Sequence, residues 1–167
     1  DINCQIALTA QVPHQVKSTL GQLTMTGHAT GNPQESTHFC TMISVKTDGE
    51  MAASDSSLTI SKAKEAIIYI VNETSFNGFD KHPVNDGASY LNDVVDDIWH
   101  TENYSYEDFR QRHINDYRQY YSRMSLQLGE ASYEGTTDQL LKQYSDQPGQ
   151  HPAAERYLET LYFQFGR

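Results

Sequence analysis

The chain has 167 residues with 12 Lys and Arg against 22 Asp and Glu, a net charge of −10. That length fits one domain or a piece of a larger one. The acidic excess argues against an electrostatic grip on nucleic acid or on an anionic membrane, since both need clustered Lys and Arg.

From the amino terminus the pattern has period two. Ile2, Cys4, Ile6, Leu8, Ala10 and Val12 alternate with Asn3, Gln5, Ala7, Thr9 and Gln11, which predicts a half-buried strand. Alternation resumes at Leu23 and Met25, and again at Phe39, Thr41, Ile43 and Val45. Asp48-Gly49 reads as a tight hairpin turn in which glycine supplies positive φ. Another strand is expected around Leu58 and Ile60. Ala66-Ile67-Ile68-Tyr69-Ile70-Val71 is apolar on both faces and short, as in a strand covered on both sides. The first 71 residues therefore read as β.

An irregular stretch follows from Asn77 to Ser89, with Gly78, Pro83 and Gly87 among polar residues. Then the period lengthens. Leu91, Val94, Val95, Ile98 and Trp99 fall on one helical stripe, with Asn92, Asp93, Asp96 and Asp97 opposite as a solvated face. Ser105 with Asp108 three residues on resembles a capping box. Tyr106, Phe109, His113, Tyr117 and Tyr120 would form that second helix's stripe, with His113 as a packed histidine. Met124, Leu126 and Leu128 alternate again and predict a short strand at about 124–128. Thr136 and Gln139 cap a further short helix through Tyr144, and Asp146-Gln147-Pro148-Gly149 is a turn. Pro152 opens a last helix whose stripe runs Ala154, Tyr157, Leu158, Leu161, Tyr162 and Phe165. That stripe is expected to bury against something, so the chain is expected to continue past Arg167. Within it, Glu159 to Gln164 looks like a protease-cleavable tag, but Phe165 follows where such tags carry Gly or Ser.

Candidate chemistry is sparse. No apolar run nears the ~20 residues that span a bilayer, and Asp1-Ile2-Asn3-Cys4 has no leader-like character, so the chain is expected to be soluble. Cys4 and Cys40 permit one disulfide, although two free, buried thiols are the plainer reading. The seven histidines show no zinc-type spacing, and no nucleophile elbow or phosphate-cradling loop occurs. Arg112 and Asp116 fit an ordinary i,i+4 pair. The 11 Tyr, 6 Phe and one Trp in an acidic chain are a composition met among carbohydrate-active proteins.

Three stretches, in order, resemble glycoside hydrolase family 95, the inverting α-L-fucosidase-like enzymes. The first runs from Glu65 through Ile70-Val71-Asn72-Glu73-Thr74-Ser75-Phe76. The second is His113-Ile114-Asn115-Asp116-Tyr117 followed by Arg123-Met124-Ser125-Leu126-Gln127-Leu128-Gly129. The third is Leu161-Tyr162-Phe163-Gln164-Phe165-Gly166-Arg167. Thr136-Thr137-Asp138 is similar to the family's Pro-Thr-Asp, with Thr136 in place of Pro. The likeness covers roughly residues 58 to 167.

The resemblance implies an α+β chain: an antiparallel β-sandwich portion, similar to a β-supersandwich, over 1–84, then a helical linker over 85–151. Residues 152–167 would be the start of the first helix of an (α/α) catalytic barrel. It implies a secreted or periplasmic parent enzyme acting on terminal α-L-fucosyl or related residues of glycans. No cofactor and no metal are expected. The family's catalytic Glu, Asp and Asn have no counterpart before Arg167, so no catalytic residue is assigned, and the segment's partner is the barrel of its own chain. The loop after the buried strand combines hydroxyl, amide and aromatic groups suited to sugars. Thr74, Phe76 and Asn77 are therefore candidates for the rim of the substrate pocket. Packing of Phe76 and Phe79 against the linker helices is the blander possibility. The alternative functions are a stand-alone carbohydrate-binding or interaction β-domain, and a purely structural sandwich.

Overall fold

The structure, a computed structural model, describes residues 1–166; Arg167, the end of the third stretch quoted above, lies outside the described residues. The chain divides into two compact units, Asp1–Tyr106 and Glu107–Arg167. In the first, the order is β1 (Ile2–Ala7), β2 (His14–Thr19), β3 (Gln22–His28), β4 (His38–Thr47), β5 (Glu50–Ala53), β6 (Ser57–Ala63), β7 (Ala66–Thr74) and α1 (Tyr90–Glu102). The strands form two antiparallel sheets, β1-β6-β5 and β2-β3-β4-β7. An α+β fold with an amino-terminal β part is therefore what the sequence folds into.

The core lies between the sheets. Leu23 from β3, Ile43 and Val45 from β4, and Leu58, Ile60 and Ala63 from β6 form one buried cluster, with Cys4, Ile6, Val16 and Met51 packed against it. Cross-strand register brings these side chains to one face: Cys4 opposes Ile60, Ile6 opposes Leu58, and Leu23 opposes Ile43. Each such aliphatic side chain contributes about 1.5–3 kcal/mol by leaving water. Cys40, of opposite parity to Ile43, lies on the other side of its sheet from Cys4, and both thiols are free.

Four expectations about the β part are corrected. β1 stops at Ala7 rather than running to Val12, and two strands, β2 and β5, form where the sequence pattern predicts none. β2 offers the core little besides Val16, so its period-two signal is faint. Asp48-Gly49 closes no hairpin, because β4 and β5 belong to different sheets. The dipeptide is a corner where the chain crosses the sandwich. There the Asp48 carboxylate accepts N–H bonds from Lys64 and Glu65, both 2.9 Å. Gly49 is needed for space, not for φ: a Cβ would stand 2.6 Å from the Ala63 Cβ and 2.6 Å from the Ser61 carbonyl oxygen. Finally, β7 is an edge strand. The buried cluster draws on β3, β4 and β6, so the middle of β7 stays open, with Ile68 43% and Ile70 60% exposed.

α1 packs on the face of β4 and β7 turned away from this core. Only two of the five residues of its predicted stripe are covered: Val94 and Ile98 are buried, while Leu91, Val95 and Trp99 are exposed. Ser44 donates to the Glu102 carboxylate at the helix end.

The second unit holds most of α2 (Tyr106–Tyr121), then α3 (Thr137–Asp146) and α4 (Pro152–Phe165). α3 starts at the expected cap, where the Thr136 N–H donates to the Gln139 Oε1 at 3.3 Å. α3 and α4 touch, burying Leu140 and Ala154. Residues 124–128 form no strand among the described residues; alternation alone makes no ladder without an edge to pair with. α2 buries none of its stripe, and His113, expected in a core, is exposed and stacked on Tyr117.

Candidate functional site

The sequence-derived candidates all sit where β7 ends. Thr74 is its last residue, and its Oγ1 accepts the Phe76 N–H at 3.4 Å. Ser75, 3% exposed, is the anchor. Its hydroxyl accepts the His38 N–H, and its own N–H donates to the His38 carbonyl, both 2.9 Å. Its carbonyl in turn accepts from Ala88, 3.1 Å away, so both ends of the loop are pinned to one point. Inside the loop the Asn77 Nδ2 donates to the Asp86 carbonyl at 2.8 Å. His82 Nδ1 accepts from the N–H groups of Val84 and Asn85, 3.2 Å each. Gly87 permits the closing pass, because a Cβ there would stand 2.3 Å from the Pro83 carbonyl oxygen.

A loop that satisfies its own polar backbone in this way holds a fixed shape and frees its other side chains for contact. Phe76 is 61% and Phe79 98% exposed, so neither ring is used for packing within the described residues. Thr74 and Asn77 are exposed as well. The structure brings the three rim candidates together within four residues of one strand end. Aromatic faces beside a hydroxyl and an amide can stack on a sugar ring and bond its hydroxyls.

Carboxylates near this end do other work. Glu73 faces α1 and its carboxyl is pushed up, first by desolvation, then by the negative charge of Asp97 and a hydrogen bond to it, and further by Asp93. The polar face of α1 is thus not wholly given to solvent. A raised carboxyl can mark a catalytic acid, but two carboxyls bonded to each other leave no room between them for a sugar and a water. Inverting hydrolysis needs about 6.5–9.5 Å.

Sequence reasoning missed a second grouping. His14, His28 and His38 line one cleft at the same end of β2, β3 and β4, together with Tyr90 from the start of α1. The available signal was the register: Gly31-Asn32-Pro33 reverses the chain so that His28 opposes His38, and His14 opposes Gly27. Spacing motifs along the sequence are blind to such pairing.

Among known proteins, residues 105–167 match the family model described as the glycosyl hydrolase family 95 catalytic domain. The match begins just ahead of α2, upstream of Pro152. The chain is also 28% identical over 110 residues to Alpha-L-fucosidase 2 of Arabidopsis thaliana. That alignment takes in 66% of this chain and 13% of the plant protein, so the aligned segment is a small part of that relative's length.

Proposed function

We propose that this chain, whose residues 105–167 match the family model of the glycosyl hydrolase family 95 catalytic domain, is a member of that family and forms the β-domain and helical linker of an inverting glycosidase acting on terminal α-L-fucosyl or related residues. In that reading the sandwich and helices brace the catalytic barrel, and the acid and base come from parts of the protein outside this chain. The observation that carries the reading is the family match lying directly behind a β-sandwich, in the order the sequence resemblance implies. The open faces of α2 and α4 support it, because Tyr120, Tyr162 and Phe165 are 61%, 80% and 90% exposed and a barrel would supply their cover. A second copy of the argument for a stand-alone sugar-binding module would need these stripes tucked against the module itself.

Thr74, Phe76 and Asn77 form part of the rim of the substrate pocket. Their contribution is to binding, since none of them is an acid or base suited to glycosidic cleavage. The test is steady-state kinetics of the intact enzyme on an aryl α-L-fucoside and on a fucosylated glycan. Phe76→Ala and Asn77→Ala should each raise KM about 3–10-fold, as expected for losing an aromatic or hydrogen-bonding contact of ~0.5–1.5 kcal/mol, with kcat nearly unchanged. Unaltered KM in both variants removes the rim role. Absence of any fucosidase activity in the intact protein removes the functional reading itself.

A further inference from the structure

The cleft at the end of β2, β3 and β4 has a volume of about 370 Å³ and is lined by His14, Gln15, Thr26, His28, His38 and Tyr90 among others. Ligand pockets commonly begin near this size. Its rings are held from behind. His14 Nδ1 donates to the Val12 carbonyl, His28 Nδ1 to the Ala29 carbonyl, and His38 Nε2 to the Pro33 carbonyl, each 2.8 Å. A carbonyl oxygen only accepts, so the bonded nitrogen of each ring carries its hydrogen in either charge state. Each imidazole therefore keeps its second nitrogen available, and protonation turns that nitrogen into a donor. The His28 and His38 rings lie 5.8 Å apart, and Tyr90 stands edge-on to His38 at 6.3 Å.

The charge around the cleft is unlike that of the chain. The chain carries −10, yet no carboxylate lines this cleft. The charged or titratable side chains of the surrounding elements are Lys17 on β2, Cys40 and Lys46 on β4, Tyr69 and Glu73 on β7, and Asp93, Asp96, Asp97, His100 and Glu102 on α1. Glu35 lies in the loop before β4, and Asp80, Lys81, His82 and Asp86 lie in the loop after β7. None of them is a lining residue. Burial pushes up both the Cys40 thiol and the Tyr90 phenol, the latter helped by Cys40, so both stay neutral across mildly acidic and neutral pH. Among the described residues no three His, Cys, Asp or Glu side chains are arranged to hold a metal ion.

We propose that this cleft is a binding site for a small oxyanion, a carboxylate or sulfate group such as acidic saccharides carry, gripped by the protonated His14, His28 and His38. Charge-assisted N–H bonds from three rings hold the anion, while Gln15, Thr26 and the Tyr90 hydroxyl serve the neutral part of the ligand. The site is separate from the rim loop, but Ser75 joins the two through the backbone of His38.

Calorimetric titration of the chain with sodium glucuronate, sodium sulfate and glucose, at pH 5.5 and 7.5, tests this. Glucuronate or sulfate should bind at pH 5.5 and several-fold more weakly at pH 7.5, because the second nitrogen of each ring donates only when it carries a proton, while glucose gives no binding heat. Glucuronate without sulfate marks an acidic sugar as the ligand; sulfate without glucuronate marks a sulfate or phosphate group. His14→Gln and His28→Gln should each weaken the pH 5.5 affinity several-fold; His14 is exposed, so its replacement leaves the sheet intact. Glucose binding as well as glucuronate, affinity independent of pH, unchanged affinity in both variants, or no anion binding at pH 5.5 would each overturn the proposal.

Discussion

At Glu73 a single carboxyl sets a pH dependence whose sign can be worked out. Desolvation and the neighbouring Asp97 and Asp93 raise its pKa in the folded protein. The folded state then holds the proton more tightly than the unfolded chain, so the stability tied to it is present at low pH and is lost as pH rises through the folded value. Glu73→Gln should consequently raise Tm at pH 7 by about 1–3 °C, the scale of an exposed charge interaction. That advantage should shrink to nothing near pH 4, where the wild-type carboxyl is protonated too. Thermal melts across this range check it, and an advantage that persists at pH 4 contradicts the assignment. Asp48 runs the opposite way, its carboxyl held down by the N–H groups of Glu65 and Lys64. Its stabilising bonds persist above the ordinary carboxylate range and fail as pH falls below it. The local chemistry of Asp48-Gly49 was legible in the sequence as a reversal of direction. Its consequence was not, because whether the next strand pairs back or joins the other sheet depends on residues such as Ala63 and Ser61, which are distant in sequence.

Among the elements, α1 separates what periodicity can and cannot tell. Leu91, Val94, Val95, Ile98 and Trp99 share one stripe, and the helix forms over Tyr90–Glu102 as that stripe predicts. Yet the sheet beneath it, β4 and β7, covers only the centre. Ile98, 4% exposed, should cost about 2–5 kcal/mol when cut to Ala. Trp99, 61% exposed, should cost within about 0.5 kcal/mol on the same cut, although it is the larger side chain. Urea unfolding of the chain distinguishes the two, and equal losses would mean that α1 sits differently on its sheet. The strands follow the same rule. β3, β4 and β6 were readable because alternate side chains meet a second sheet. β2 carries too few apolar residues to announce itself, and 124–128 alternates without becoming a strand, since hydrogen-bond partners are not written in a segment's own residues. The rim loop was legible as a loop with sugar-binding residue types. Its pinning through Ser75 and His38, and the gathering of three histidines, needed strand register.

For the molecule as a whole, the main tension is between apolar surface and cover. α2 buries no residue of its own, and α4 leaves Tyr162 and Phe165 in solvent. A helix with an apolar stripe gains most of its stability from burying it, so these faces are costly unless other parts of the protein lie against them. The proposal of a barrel-bracing role predicts a difference between two samples of the same variant. Phe165→Ala, made in the 167-residue chain, should leave its unfolding free energy within about 0.5 kcal/mol of the parent, as for an exposed position. Made in the intact enzyme, it should cost about 3–5 kcal/mol, as for a buried phenylalanine. Denaturant unfolding of both samples, with hydrogen exchange of α4 amides to localise the loss, decides the matter. A loss equally small in both would mean that α4 is a solvent-facing helix, and the bracing role would then have to rest on the sandwich and α1 alone.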